Sequence, residues 1–134
     1  MSKILSEFHF SCLFIEGRCF RSIAALHDEL SFKLGLPSWY GRNWDALLDC
    51  LSSIGDKLSN LCSHWDWING KRLVLSIQNF STKETDEDTL LPFLQVVAVA
   101  NDRLAKGESL NRIWVEYNSP RVETRDKPTR QIMR

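Results

Sequence analysis

Apolar residues along this chain fall into dense short runs and into steps of three and four, and the change from one pattern to the other marks its elements. Residues 8–15 crowd Phe8, Phe10, Cys12, Leu13, Phe14 and Ile15 into one stretch, closed by Glu16 and Gly17. A run that short and that apolar predicts a mostly buried strand. The period then lengthens. Ser22 precedes Ile23, Leu26, Leu30 and Leu34, the spacing of a helix with a serine N-cap. Gly35 can end that helix, and Pro37 bars its continuation. A second helix is predicted over about residues 43–52. Residues 53–70 read as irregular, with Gly55 and Asn69-Gly70 as turn punctuation. Residues 72–77 form a near-continuous apolar strand. The acidic stretch 83–88 reads as a solvated loop and helix start. A long helix follows over 90–106, with Pro92 tolerable in its first turn and Gly107 past its end. Residues 113–117 are the last strand.

The order strand, helix, helix, strand, helix, strand predicts an α/β fold. Strands that are nearly continuous apolar runs point to a parallel sheet covered by helices. The expected domain spans residues 1–117, and residues 118–134 form a polar tail expected to be disordered. A chain of 134 residues is long enough to bury one core without staples.

Charge sharpens the picture. Seventeen basic and seventeen acidic residues cancel over the whole chain. Residues 121–134 hold five of the basic and two of the acidic ones, so the body is mildly acidic and suited to a basic partner. A direct nucleic-acid partner is not expected from such a balance. The start of the chain has no unbroken apolar segment of the signal-peptide type, and no stretch is long enough to span a bilayer. The four cysteines form no CxxC pair. Free buried thiols and a cytoplasmic location are the expectation.

The function is expected in residues 37–51. Trp39, Tyr40 and Gly41 lead into the second helix, whose Trp44, Leu47, Leu48 and Leu51 fall on one face at core spacing. Asp45 and Asp49 are four apart on one edge of that helix, where like charges oppose each other slightly. The first turn favours an anion at Asp45, but Asp49 lies beyond it. No basic residue sits three or four positions from Asp49. Two carboxylates beside Trp39, Tyr40 and Asn43 make a compact acidic, aromatic surface of the kind that anchors protein partners. The plain alternative is two solvated aspartates on an amphipathic helix. A metal-assisted hydrolase using Asp45 and Asp49 is a further reading, although two carboxylates on one helix need more ligands than the sequence matches to them.

These residues also carry a resemblance. The run Phe20 to His27, followed by Leu36-Pro37, Tyr40-Gly41, Asn43, Asp45-Ala46-Leu47 and Asp49-Cys50-Leu51, resembles the barstar family over about residues 8–117. The resemblance implies a three-stranded parallel sheet packed with helices in a three-layer arrangement. It implies a non-enzymatic, intracellular protein: a bacterial immunity protein that plugs the active site of a ribonuclease toxin, as in toxin–antitoxin pairs. By position, Asp49 matches the family's central carboxylate, which stands in for substrate phosphate. Asp45 matches a second acidic contact, Asn43 a polar contact at the helix start, and Trp39 a stacking tyrosine. The sequence departs from barstar at Leu48, where barstar has a tryptophan contact. It departs again at Val99 and Arg103, where barstar has acidic contacts. These departures point to a nuclease other than barnase. A regulatory module with a non-nuclease target remains a third reading.

Trp65 and Trp67, alternating around Asp66 in the longer loop, either widen the interface or cover the core. His27 reads as a hydrogen-bonded structural histidine, and Asn43 as an N-cap as well as a contact. Cys62-Ser63-His64 is too little for a zinc site on its own. No cofactor and no metal are expected.

Overall fold

The computed structural model describes residues 9–56, 61–64 and 71–118. Three strands, β1 (His9–Glu16), β2 (Lys71–Gln78) and β3 (Arg112–Tyr117), lie parallel in the order β1-β2-β3. Three helices connect them: α1 (Ile23–Leu34) and α2 (Trp44–Ser52) between β1 and β2, and α3 (Glu87–Lys106) between β2 and β3. This is the α/β arrangement expected.

Each strand owes its place to the two-residue alternation of its side chains. Leu13 and Ile15 of β1 pair with Leu75 and Ile77 of β2, and Leu73 of β2 pairs with Ile113 of β3. All six are buried and face the helices. There Leu26, Leu30 and Leu34 of α1, Leu47 and Leu51 of α2, and Phe93, Val97 and Ala100 of α3 complete the core. Phe20 and Phe93 meet edge to face with ring centroids 5.3 Å apart.

The opposite parity points away from the helices. Phe10, Cys12, Phe14, Trp114 and Glu116 are exposed there. Among the described residues the molecule therefore has two layers, not three. Neighbouring parallel strands joined by crossovers of one hand bring all the helices to one face of the sheet. The same parity corrects the expectation of buried thiols: Cys12 is exposed and Cys19 half-buried, while Cys50 and Cys62 are buried.

Local signals placed the helix ends with mixed success. The Ser22 hydroxyl caps α1 by accepting from the Ala25 N–H at 3.1 Å. Gly35 ends that helix at φ 68, in the left-handed region that favours glycine. A Cβ there would also lie 2.5 Å from the His64 ring, so the position excludes side chains twice over. A 3-10 turn over Gly17–Arg21 has no counterpart in the apolar pattern. Helix α3 starts three residues before the expected Leu90. Asp86 is its N-cap, accepting from the Asp88 N–H at 3.3 Å and from the Thr89 hydroxyl at 2.9 Å. Pro92 consequently sits in the second turn, where its missing N–H costs one helical hydrogen bond. Glu87 and Asp88 in the first turn favour the helix dipole.

Candidate protein-binding site

Helix α2 begins where the pattern of its residues says it must. The Asn43 side chain accepts from the Ala46 N–H at 2.8 Å and caps the first turn. Leu47, Cys50 and Leu51 are buried, and Trp44 and Leu48 pack half-buried against that core. This fastens one side of the helix and leaves Asp45 and Asp49 on the other, both exposed.

The turn before the helix is held from below. The Tyr40 N–H donates to the Pro37 carbonyl at 2.9 Å. The Tyr40 ring turns inward, 6% exposed, and its hydroxyl meets His27 Nδ1 at 2.5 Å. His27 is itself fully buried, with the Trp44 ring centroid 4.8 Å from its own. Burial is the main cause that lowers the His27 pKa, with the Arg42 charge acting in the same direction. Burial likewise raises the Tyr40 pKa. So His27 is the hydrogen-bonded structural histidine expected, and Tyr40 supports the turn from inside instead of offering its ring to a partner.

Above this support the backbone is tightly shaped. Arg42 adopts φ 55, rare for a residue with a side chain, and its Nε donates to Asp28 of α1 at 2.8 Å. Trp39 stands out from the same turn, 73% exposed. Trp39, Asn43, Asp45 and Asp49 are thus all exposed along the turn and helix.

Asp49 has a partner that local sequence did not reveal. Arg103 of α3 places Nη1 3.4 Å from Asp49 Oδ1, with the two side chains 49% and 74% exposed. No cation stands at helical spacing from Asp49, but α3 packs along α2 and supplies one from 54 residues away. A shallow groove of about 250 Å³ follows the seam between the two helices, lined by Trp44, Leu48, Pro92, Gln95, Val96 and Val99. Leu48 therefore reaches the surface as one wall of a groove. Among the described residues no three His, Cys, Asp or Glu side chains converge as a metal site would require. Trp65 and Trp67 lie outside the described residues, as does the tail from 119 onward.

The barstar family model, described as barnase inhibitor, matches residues 10–118. The chain belongs to the barstar family. The match takes in all three strands and all three helices, β1 from its second residue, and the whole of the capped turn and α2. A Bacillus subtilis (strain 168) protein named "Putative ribonuclease inhibitor YrdF" is 55% identical over 40 residues. That likeness covers 30% of this chain and 44% of the relative, so the chain matches less than half the relative's length. Within the barstar family frame, Arg103 and Val99 occupy the α3 side of the seam. One is paired with Asp49 and the other opens the groove, 43% exposed. Among the described residues no helix is long and apolar enough to cross a membrane.

Proposed function

We propose that this chain is a ribonuclease inhibitor of the immunity type, acting by occluding a toxin's active site with α2 and the turn before it. The observation that supports this best is the exposed strip itself. Asp45 and Asp49 project from a helix whose other side is fixed in the core, next to an exposed Trp39 on a braced turn. A nuclease grips phosphate with several cations. A carboxylate held at a fixed place satisfies such cations through charge-assisted hydrogen bonds without offering a bond to cleave. Asp49 plays that part in this reading, with Asp45 adding a second negative charge and Trp39 an aromatic platform. The inhibitor carries out no chemistry of its own.

The Arg103 pair does not stand in the way. Both partners are largely in water, where such a pair contributes about 0–1 kcal/mol. Arg103 can swing off or stay beside Asp49 and face an acidic group of the toxin. The decisive experiment titrates the purified chain into RNA-cleavage assays with barnase and with any ribonuclease encoded beside this chain's gene. Inhibition at one chain per enzyme is the expected outcome, with an association rate that falls as salt rises. Undiminished cleavage in every case defeats the proposal.

A further inference from the structure

The sheet face turned away from the helices has an ordered pattern of its own. β1 and β2 each send four residues to it and β3 sends three, and the register sets them in three full rows and a fourth of Glu16 and Gln78 at one end. Phe10, Arg72 and Arg112 form the first row, Cys12, Val74 and Trp114 the second, and Phe14, Ser76 and Glu116 the third. Phe10 and Phe14 are each 55% exposed and Trp114 is 48% exposed. The Phe10 and Trp114 rings meet edge to face at 6.0 Å, and the Arg72 guanidinium lies 5.4 Å from the Trp114 ring centre. Three exposed aromatics on one flat face are more than scattered surface apolar residues, and such patches mark association surfaces.

The pattern is self-complementary under one two-fold axis. That axis lies in the sheet, across the strands, and passes through the second row. It exchanges the first and third rows. Phe10 then faces Phe14 of a second copy, Arg112 faces Glu116, and Arg72 lies over the row of Ser76, whose own side chain is fully buried, while Cys12, Val74 and Trp114 each face their own mates. Like charges meet nowhere among the nine positions. The other in-plane axis, along the strands, sets Arg72 against Arg72 and Phe14 against Glu116. The geometry points to a second copy of this chain as the occupant of this face, packed sheet on sheet with strands antiparallel.

The dimer is weak by construction. Three strands about 4.8 Å apart and three rows spanning about 13 Å give a footprint of a few hundred Å² per copy once the side chains are included. Standard stable interfaces bury about 800 Å² per partner. A dissociation constant of roughly 100 µM is expected. The face is opposite the helices, so dimerisation leaves α2 free for a toxin, and the inference stands or falls separately from the proposed function.

The test is sedimentation velocity on the full chain from about 10 µM to 1 mM, a span that brackets a constant of about 100 µM. Self-association rising over that range is expected. Arg112→Glu and Glu116→Arg should each weaken it about tenfold or more, and the double charge swap should restore it. Arg112 and Glu116 of one chain lie about 13 Å apart along the strand, so rescue reports a contact between chains. Arg112 also donates to the Ser109 and Asn111 carbonyls, at 2.7 and 2.6 Å, and Glu116 accepts from Ser76 at 2.7 Å. Thermal melts therefore accompany these variants, and Trp114→Lys supplies a second disruption that touches neither bond. A short bis-maleimide should join two copies through Cys12. Plain oxidation should not, since stacked sheets sit about 10 Å apart and a disulfide needs Cα atoms within about 7 Å. Cys12→Ser should abolish the product. A monomer at every concentration, as when residues 1–8 or 119–134 cover the face, overturns the inference. So does a dimer indifferent to Trp114→Lys and to the charge swap.

Discussion

Replacing Asp49 by alanine separates a binding residue from a folding residue, because the two effects should differ by an order of magnitude. Among the described residues Asp49 makes one ion pair, to Arg103 at 3.4 Å, and its side chain is 74% exposed. An exposed pair of this length is worth at most about 1 kcal/mol, and often nothing measurable. Alanine returns up to about 0.7 kcal/mol through higher helix propensity. It also removes the mild repulsion between Asp45 and Asp49. The net change in stability should stay within about 0.5 kcal/mol, a shift in Tm of roughly 2 °C for a chain of this size. Binding is another matter. With the proposed interface closed, the toxin's phosphate-gripping cations lose the central counter-charge, and Asp45 is one helical turn away from it. Leaving such cations buried and unpaired costs about 2–5 kcal/mol, a weakening of roughly 30- to 5,000-fold. That range rests in part on barnase and barstar themselves and is borrowed for this surface. Thermal melts and titration against the inhibited ribonuclease measure the two quantities on one preparation. A Tm drop of 8 °C or more would make Asp49 structural and refute the reasoning, as would unchanged affinity.

Arg103→Ala should leave Tm within about 2 °C and strengthen binding of the same ribonuclease by several-fold, because Asp49 is then released from its internal cation; weaker binding would show Arg103 itself contacting the enzyme. Burial lowers the His27 pKa below its ordinary value of 6.5, so the unfolded chain binds the proton more readily than the folded one. Stability should therefore be flat above about pH 6.5 and fall as the pH drops below it, by at most about 1.4 kcal/mol per unit from this group, until the lowered folded pKa is passed. Urea melts at pH 7.5 and 5.5 measure this fall, and it should shrink in His27→Gln. Gly35→Ala should cost more than about 1 kcal/mol in urea melts, since alanine pays for φ 68 and its Cβ meets the His64 ring. A smaller loss would mean that the Ser63–His64 segment moves aside easily.

Most elements were legible before the fold because their signals are local. Ser22 and Asn43 cap helices with their own side chains, and Gly35 stops one by its backbone freedom. The strip of Trp39, Asn43, Asp45 and Asp49 was legible for the same reason, being a turn and a helix edge within a dozen residues. The 3-10 turn over Gly17–Arg21 was not, because five residues are too few to show a period. The start of α3 is less legible, because Pro92 favours a first-turn position while the capping side chain, Asp86, is one acid within a run of acids.

The sequence by itself determined the strand and helix order, the capped turn, the spacing of the two aspartates and the family. Each depends on neighbours within one or two turns of chain, or on a motif compared position by position. The tertiary structure alone decided the rest. Helix α3 lying along α2 gave Asp49 its cation and made Leu48 and Val99 walls of one groove. The packing of α1 against the turn drew Tyr40 inward onto His27. The common hand of the crossovers left one face of the sheet without a helix among the described residues and turned Cys12 and three aromatics outward. These outcomes join residues far apart in the chain, and no local period records which distant side chain arrives.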